Sequence, residues 1–351
     1  MVVPAQARHA RILELVRQAG TLRVAELARR LGAPAVTVRR DVAALADRGA
    51  LVRSHGTVSA APHRGGRRWV IGMLVPTTGS YFAEVIAGAR AAAAAVDARL
   101  VLGIAPYAAR DDRAQVERLL EAGVDGLLVA PNWLPGGAVA GFGWLDALPV
   151  PTVLVERRAA PDGPGAALDS VGSDHAHGVL LALRRLAGLG HRSVLLAARD
   201  DSWTAHQVRA GYAAAVAAVG LAPCPVLDVE HVHPGARAQR LADGIAAAAR
   251  ARTRAVVVHN DNDAIAVLPL LRTRGLAVPE QVALISYDDV YAGLAAPPLT
   301  AVAPPKRAVG AAAAELLLRR LEAGGVAAGR RVLLLPVLRV RGSCGAPVEH
   351  G

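Results

Sequence analysis

The chain has 351 residues, of which 53% are hydrophobic and 20% charged, and its formal net charge is +11. This length and composition indicate two or three folded domains with substantial cores and argue against a disordered protein. No apolar run of about 20 residues is free of Arg, Asp or Gly, so we expect no membrane span. No signal-peptide pattern opens the chain, so we expect a cytoplasmic protein. Only two cysteines occur, so we expect neither a disulfide framework nor a cysteine metal site.

Most of the positive charge lies in the first 68 residues. This segment holds 13 Arg against four Asp and Glu, so it contributes +9 of the net +11 and leaves the rest of the chain almost neutral. Such asymmetry indicates a polyanion-binding domain attached to a neutral one. An ordinary basic surface is the less favoured alternative on charge alone, so the pattern within the segment has to decide.

Three helices are predicted in this basic segment. Apolar residues recur at helical spacing over residues 12–16, and Gly20 ends that helix. A second helix is predicted over residues 25–31. Gly32 then allows a sharp turn, and Pro34 suits the first position of a third helix.

The third helix combines a buried stripe with a polar outer face. Val38, Val42 and Leu45 follow the spacing i, i+4, i+7 and share one face, whereas Arg40 falls on the opposite face. Residues 51–58 are predicted to form a short hairpin, or wing. Two helices joined by a tight glycine turn, the second showing Thr and Arg outward, suit the major groove of DNA.

The motifs VAELARRLG, TVRRDVAAL and LVRSHG resemble the winged helix-turn-helix of the DeoR family over residues 8–56. This resemblance, together with the helical wheel, implies that the third helix contacts the groove and that the wing contacts backbone phosphates or the minor groove. A salt bridge with a neighbouring acid is the alternative role for Arg40. The implied contact residues are Thr37, Arg39 and Arg40 in the helix, and Arg53 and His55 in the wing.

From Trp69 onward, short β-rich runs alternate with Ala-rich helical stretches. The preceding ten residues, SAAPHRGGRR, have the composition of a flexible linker, so we expect a DNA-binding domain at 1–58, a linker at 59–68 and a second domain at 69–351. Continuous apolar strands in repeated βα units indicate an α/β domain with parallel sheets covered on both faces. The predicted strands are Val70–Val75, Leu100–Ile104, Gly126–Val129, Thr152–Val155, Val194–Ala197, Ala255–His259 and Val282–Ser286.

Polar and aromatic side chains follow most of these strands. Only eleven aromatic residues occur in the chain, yet Tyr81, Phe82, Trp133, Trp203 and Tyr287 all lie at strand ends. Ligands of parallel sheets bind outside the carboxyl ends of the strands, and aromatic plates beside carboxylates and amides suit a polyhydroxylated ligand. Any one of these aromatics could instead pack beneath a loop.

The body also resembles a known family. The motifs IGMLVPTTGSYFAEVIAGA, VDGLLVAP and AVVVHNDNDAIAVLPLLRTRGLAVPEQVALISYDD resemble the effector-binding domain of the LacI/GalR family over about residues 69–341. That domain is itself similar to type I periplasmic sugar-binding proteins. The resemblance implies two lobes crossed three times by the chain. One lobe is expected to hold Trp69–Leu168 and Thr300–Ala323, the other Ser170–Pro298 and Val332–Val340.

The resemblance and the strand ends together nominate the effector-binding residues. Tyr81 and Phe82 match the family's stacking pair, and Asn260 and Asp288 match its amide and carboxylate contacts. Arg209 lies next to Val208, which occupies the position of the family's ligand arginine. The complete expected set is Tyr81, Phe82, Asn132, Glu156, Trp203, Thr204, Arg209, Asn260 and Asp288.

Catalytic and metal motifs are absent from the sequence. It contains no G-x-S-x-G elbow, P-loop or dinucleotide fingerprint, and the cluster of Asp174, His175 and His177 lacks the spacing of a metal site. We therefore expect a non-enzyme without metal or cofactor. The interpretation is a ligand-responsive repressor of sugar uptake or catabolism genes, a homodimer on a palindromic double-stranded operator, with a sugar, sugar-like molecule or nucleoside as effector. The alternative is a cytosolic carbohydrate-acting enzyme with an accessory nucleic-acid-binding module.

Overall fold

The computed structural model describes residues 8–345 except 10, 14, 17–20, 48–50, 55, 61–68, 108–110, 134–138, 230–232 and 325–327. The chain forms two compact units, Met1–Arg68 and Trp69–Gly351, which we call the head and the body. Within the described residues, no helix combines the length and the apolar character that crossing a membrane requires.

The head is a three-stranded antiparallel sheet with helices. Its described residues between 8 and 16 are helical, and the predicted helix end at Gly20 lies outside the described residues. The strands pair in the order β1-β3-β2. The remaining elements are β1 Thr21–Arg23, α1 Val24–Leu31, α2 Ala35–Asp47, β2 Leu51–Ser54 and β3 Thr57–Ala60.

Two boundaries in the head differ from the sequence prediction. Helix α2 begins at Ala35, so Pro34 precedes it and its carbonyl accepts a hydrogen bond from the Val38 N–H at 3.1 Å. The predicted linker at 59–68 begins too early, because Ser59 is a strand residue that pairs with both Thr21 and Val52.

The head has its own apolar core. Val38, Val42 and Leu45 of α2 are buried in it, as their spacing predicts. Asp41 on the same helix accepts hydrogen bonds from Arg8 at 2.6 and 3.1 Å, and these bonds lower its pKa. This ion pair fixes α2 against the first helical segment and leaves the opposite face of α2 exposed.

The body contains two six-stranded sheets. The first lobe has strands β4 Val70–Val75, β5 Arg99–Ile104, β6 Gly126–Val129, β7 Thr152–Val155, β8 Asp169–Ser173 and β14 Arg331–Leu334. The second lobe has strands β9 Leu195–Ala198, β10 Leu227–Asp228, β11 Ala255–Val258, β12 Ala283–Tyr287, β13 Thr300–Ala303 and β15 Val337–Arg339. Their spatial orders are β14-β8-β7-β6-β4-β5 and β10-β9-β11-β12-β13-β15, and only the β13–β15 pairing is antiparallel.

Helices cover these sheets. The α-helices are α3 Ser80–Ala94, α4 Asp112–Glu121, α5 His175–Gly188, α6 Trp203–Val219, α7 Pro234–Arg250, α8 Asp261–Thr273 and α9 Lys306–Ala323, with short 3-10 helices at Val139–Ala147, Ala292–Leu294 and Gly342–Cys344. Both faces of each sheet are buried: Met73 and Leu74 of β4 belong to different apolar clusters, as do Val257 and Val258 of β11. Burial on both faces is why these strands are continuous apolar runs.

The division into lobes corrects part of the sequence prediction. Strand β13, expected in the first lobe, pairs with β12 in the second, so of the expected segment Thr300–Ala323 helix α9 alone packs in the first lobe. Strand β8, expected in the second lobe, pairs with β7 in the first. The single C-terminal strand expected at 332–340 is two strands in different lobes, because Pro336 lies between them and offers no N–H for a sheet.

Helices α3 and α9 touch through glycines, which makes Gly310→Ala a sharp packing test. A Cβ on Gly310 would lie 1.9 Å from the Val85 carbonyl oxygen, so the helices would have to separate. We expect the free energy of unfolding of the body to fall by roughly 1–3 kcal/mol or more in urea denaturation. Gly188→Ala is the matched helical control, because a Cβ there meets nothing within 4 Å. Equal stability of the two variants would contradict this packing.

Candidate functional site

A cleft of about 580 Å³ lies between the lobes, where strands of both sheets end. Its walls come from both lobes, so one bound molecule would contact both. The first lobe contributes Thr77, Gly79, Ser80, Tyr81, Phe82, Tyr107 and Asn132, and the second contributes Arg199, Asp201, Ser202, Thr204, His259, Asn260 and Asp288.

The structure brings together six of the nine residues that the sequence nominated for an effector. These are Tyr81, Phe82, Asn132, Thr204, Asn260 and Asp288. Glu156 and Trp203 line a separate cavity of about 190 Å³, and Arg209 lines neither cavity.

Tyr81 connects the cleft to a buried carboxylate. Its hydroxyl donates to Glu156 Oε1 at 2.6 Å, and the Ser173 N–H and hydroxyl donate to the same carboxylate at 3.0 and 2.8 Å. Burial raises the pKa of Glu156, but His175, with Nε2 at 3.7 Å, and these donors outweigh it and lower the pKa to about 2. Burial and the Glu156 charge raise the pKa of Tyr81. Glu156 therefore orients Tyr81 and lies outside the cleft.

Asp288 lines the cleft and carries one carboxyl oxygen without a hydrogen-bond partner in the described part of the chain. It directly follows β12 with a φ of +95°, and this oxygen, Oδ1, is buried. Burial and the neighbouring Asp261 raise its pKa to about 7, against the opposing charge of Lys306. Lys306, which lies 5.6 Å from the centre of the Tyr81 ring, donates to the Asp288 backbone carbonyl.

Asp261 holds the loop that carries Asp288. Its carboxylate accepts hydrogen bonds from the N–H groups of Val290 and Tyr291 at 2.6 and 2.9 Å and from the Ser286 hydroxyl at 2.7 Å. These bonds fix the chain on both sides of Asp288. A fixed loop positions a carboxylate for a ligand at little entropic cost.

The arginine of the cleft differs from the one the sequence nominated. Arg209 donates to the carbonyls of Arg199 and Ala198 and pairs with Asp228 at 2.6 Å, so it fastens α6 to the end of β9. Arg199 lines the cleft instead and forms a two-point pair with Asp201. Arg209 was nominated because it adjoins Val208, but adjacent residues of a helix point in different directions, so this proximity does not bring its side chain into the cleft.

Two amides in the cleft are already partly engaged. Asn260 caps α8: its Oδ1 accepts from the Asp263 N–H, and its Nδ2 donates to the Asp263 carboxylate, both at 2.9 Å. Asn132 donates through Nδ2 to the Ala105 carbonyl at 2.6 Å. Its Oδ1 is buried and has no partner among the described residues. Asn132 therefore offers an acceptor, whereas the Asn260 side chain serves the fold.

Trp203 bridges the lobes by packing. Its ring centre lies 6.2 Å from that of Trp133, and it joins the apolar cluster of the first lobe although it opens helix α6 of the second. Trp133 and Phe142 form an edge-to-face pair at 5.6 Å. Trp133 and Trp203 therefore pack in an apolar cluster outside the cleft, although Trp203 also lines the cavity of about 190 Å³.

The polar cluster considered for a metal serves the fold. Asp174 caps α5 by accepting from the His177 N–H at 2.9 Å, and His175 contacts the Tyr287 hydroxyl at 3.0 Å. Across the described part of the chain, no group of three His, Cys, Asp or Glu is arranged to hold a metal ion.

The head presents a basic face on α2. Arg39 and Arg40 are exposed, Thr37 is half-buried, and Val36 is 74% exposed beside them. Among the described residues, Arg40 takes part in no ion pair, because Glu26 pairs with arginines of α1 and Asp41 pairs with Arg8. Arg53 belongs to β2 with an undescribed side chain, and His55 lies outside the described residues.

Eight of the fourteen residues that line the cleft were not nominated from the sequence, and three of them, Tyr107, Arg199 and His259, have large side chains. Tyr107 and His259 lie at or just beyond the ends of β5 and β11, and Arg199 follows β9. Inspecting every strand end for polar or aromatic side chains would have found all three.

Two protein-family models match the chain. A DeoR-like helix-turn-helix domain matches residues 8–63, and a periplasmic binding protein-like domain matches residues 183–344. The two matches fall in the head and in the body, respectively.

The curated relatives are transcriptional regulators. The chain is 31% identical over 256 residues to the HTH-type transcriptional repressor PurR of Vibrio campbellii (strain ATCC BAA-1116), covering 72% of this chain and 74% of PurR. It is 29% identical over 226 residues to the HTH-type transcriptional regulator AscG of Escherichia coli (strain K12), covering 63% of this chain. The chain spans 65% of AscG, slightly less than two thirds.

Solved structures share the fold of the body. A complex of the transcriptional regulator CelR with cellobiose matches with a TM-score of 0.64 and 25% identity, covering 88% of this chain and 90% of CelR. Further structures that match with TM-scores of 0.64 to 0.67 are described as LacI-family regulators.

Proposed function

The chain belongs to the LacI family of transcriptional regulators, and on that basis we propose that it is a repressor that binds operator DNA through its head and a sugar effector between the lobes of its body. The head matches a DeoR-like helix-turn-helix model, whereas the body matches a periplasmic binding protein-like model. We propose that this combined regulator acts in the cytoplasm, by binding and without turnover, on genes for sugar uptake or catabolism.

The observation that carries this proposal is the two-lobed cleft with unmet hydrogen-bonding groups. Asn132 Oδ1 in the first lobe and Asp288 Oδ1 in the second are both buried without partners among the described residues. Beside them, Tyr81 and Phe82 supply aromatic surface. Acceptors on both walls and an aromatic plate suit a molecule with several hydroxyls.

Such a ligand would act by favouring one arrangement of the lobes. It would contact Tyr81 on one wall and Thr204 and Asp288 on the other, so it stabilises the closed cleft by the affinity it gains there. We propose that the protein is a homodimer on a palindromic operator and that closure changes the geometry it offers to the two half-sites.

The exposed basic face of α2 supports DNA as the partner of the head. A helix that presents Arg39 and Arg40 outward, followed by a paired β2–β3 wing, suits insertion into a major groove. Because arginine–phosphate contacts release counterions, the affinity for DNA should fall steeply as salt rises.

Selection from random double-stranded DNA tests the function. We expect the full chain to enrich an inverted repeat with half-sites about one or more helical turns apart. A panel of sugars and nucleosides is then titrated into the complex, and one of them should change the affinity for the repeat. Sequence-independent DNA binding, or chemical conversion of a sugar by the purified protein, would favour the enzyme alternative.

A further inference from the structure

The positive charge in the cleft is already paired with a carboxylate of the protein. Arg199 is the only cationic side chain among the described residues that line it, and both its Nε and Nη2 donate to Asp201. Lys306, behind Tyr81, donates to a backbone carbonyl and is only 8% exposed. A phosphate group in the cleft would therefore have to break an existing ion pair and approach the carboxyl of Asp288.

His259 is a polar group of the cleft that the fold leaves unsatisfied. It is 6% exposed, its ring centre lies 5.6 Å from that of Tyr287, and neither of its ring nitrogens has a hydrogen-bond partner among the described residues. Burial, together with the nearby His175 and Arg199, lowers its pKa to about 3, so the ring is neutral at physiological pH.

A neutral imidazole has one N–H donor and one acceptor nitrogen. A hydroxyl group can pair with either of them, whereas a phosphate gains no compensating charge from the ring. The same reasoning applies to Asn132, whose free atom is an acceptor and matches a hydroxyl donor.

We propose that His259 is a specificity residue of the cleft, pairing with an uncharged hydroxyl of the effector, and that the cleft takes neutral polyhydroxylated molecules and rejects their phosphate esters. This inference rests on the proposed function, because it concerns the effector of the same site. It adds that the effector is uncharged and names the side chain that distinguishes it from a phosphate ester.

The first experiment pairs neutral molecules with their phosphates. Binding to the full chain is measured by melting shifts and then by calorimetric titration. The pairs are D-ribose and D-ribose 5-phosphate, D-glucose and D-glucose 6-phosphate, and adenosine and its 5′-phosphate. Cellobiose is added as a further neutral molecule. We expect a neutral member to bind at least tenfold more tightly than its phosphate. Equal or tighter binding of a phosphate overturns the inference and leaves the regulator intact.

Variants of His259 test the residue itself. His259→Phe keeps the ring shape without hydrogen bonds and should weaken binding of the neutral ligand about tenfold, whereas His259→Gln keeps a donor and an acceptor and should retain more of the affinity. His191→Phe is the control, because His191 precedes β9 and lies at the opposite end of that strand from the cleft. Wild-type affinity in a folded His259→Phe variant contradicts the assignment.

The possible outcomes distinguish a failure of the inference about the ligand from a failure of the proposed function. If no member of the panel binds while the chain still selects an inverted repeat, the proposed ligand class is wrong and DNA-binding regulation stands. If neither ligand nor specific DNA binds, the proposed function fails as well. If His259→Phe does not fold, the comparison of His259→Gln with the wild type decides.

Discussion

Replacing Asp288 with alanine should weaken effector binding by about tenfold to a few hundredfold, with effector-independent DNA binding unchanged. A carboxylate at this strand end can accept hydrogen bonds from two hydroxyls, and bonds to charged acceptors contribute roughly 1.5–3 kcal/mol each. The wild-type side chain has a buried oxygen without a partner among the described residues, so the fold itself loses little when it is removed. Calorimetric titration with the effector found in the sugar and nucleoside panel measures the loss.

Asp289→Ala is the matched control for this change. Asp289 is the next residue, also has a positive φ, and pairs with Arg341 at 2.6 Å outside the cleft. We expect this control to lower the melting temperature and leave effector affinity unaltered. The opposite result, in which Asp288→Ala binds normally or binds weakly only because it is partly unfolded, would remove Asp288 from the binding set.

The raised pKa of Asp288 predicts a pH dependence with a definite sign. Its folded pKa is about 7 against an ordinary value of 3.8, so between these values the folded protein holds a proton that the unfolded chain has lost. This group therefore costs stability as pH rises from about 4 to 7, and its contribution is constant above that range. Effector hydroxyls that donate to the carboxylate favour its charged form.

Effector affinity should consequently rise about tenfold between pH 6 and pH 8, with a proton released on binding in the lower part of the range. Asp288→Asn removes this titration while keeping the size of the side chain. Titrations in buffers of different ionisation enthalpy count the protons. An identical pH profile in the wild type and Asp288→Asn would assign the dependence to another group.

How far the sequence predicts the fold depends on how locally each element is determined. Val70–Val75 and Gly126–Val129 have the predicted bounds, because strands buried on both faces are continuous apolar runs. Strand β8 escaped prediction because its residues are partly polar: Asp169 binds Arg320 at 2.6 and 2.8 Å. The lobe to which β13 belongs is decided by the sheet with which the strand pairs after the chain crosses between lobes. The order of strands in the sequence does not contain that information.

The candidate site divides in the same way. The rule that ligands lie at the carboxyl ends of strands located Asn132 and Asp288, since strand ends are readable from the pattern. The same rule points to Arg199, which directly follows β9, whereas Arg209 lies on helix α6 and was nominated only because it adjoins Val208. Its guanidinium meets Asp228 outside the cleft, and a contact of that kind is decided by tertiary packing.

The second large effect is expected in the head, where Arg40→Ala should weaken operator binding by roughly 1–3 kcal/mol and binding to random DNA by much less. A bidentate contact to a guanine edge contributes that much to discrimination, whereas a phosphate contact weakens all sequences alike. Arg40 is exposed and has no ion-pair partner among the described residues, so its loss should leave the fold of the head unchanged. Fluorescence anisotropy on the selected repeat and on a scrambled duplex gives the two affinities.

Arg30→Ala is the control for the loss of one positive charge from the head. Arg30 lies on α1, is partly exposed and pairs with Glu26 at 2.7 Å, so its removal changes the net charge by the same amount without touching the outward face of α2. Both variants should lose similar affinity for scrambled DNA through the lost charge, and only Arg40→Ala should lose the preference for the repeat. Equal losses of Arg40→Ala on both duplexes would assign Arg40 to a phosphate contact, and base reading by α2 would then have to come from Thr37 or Arg39.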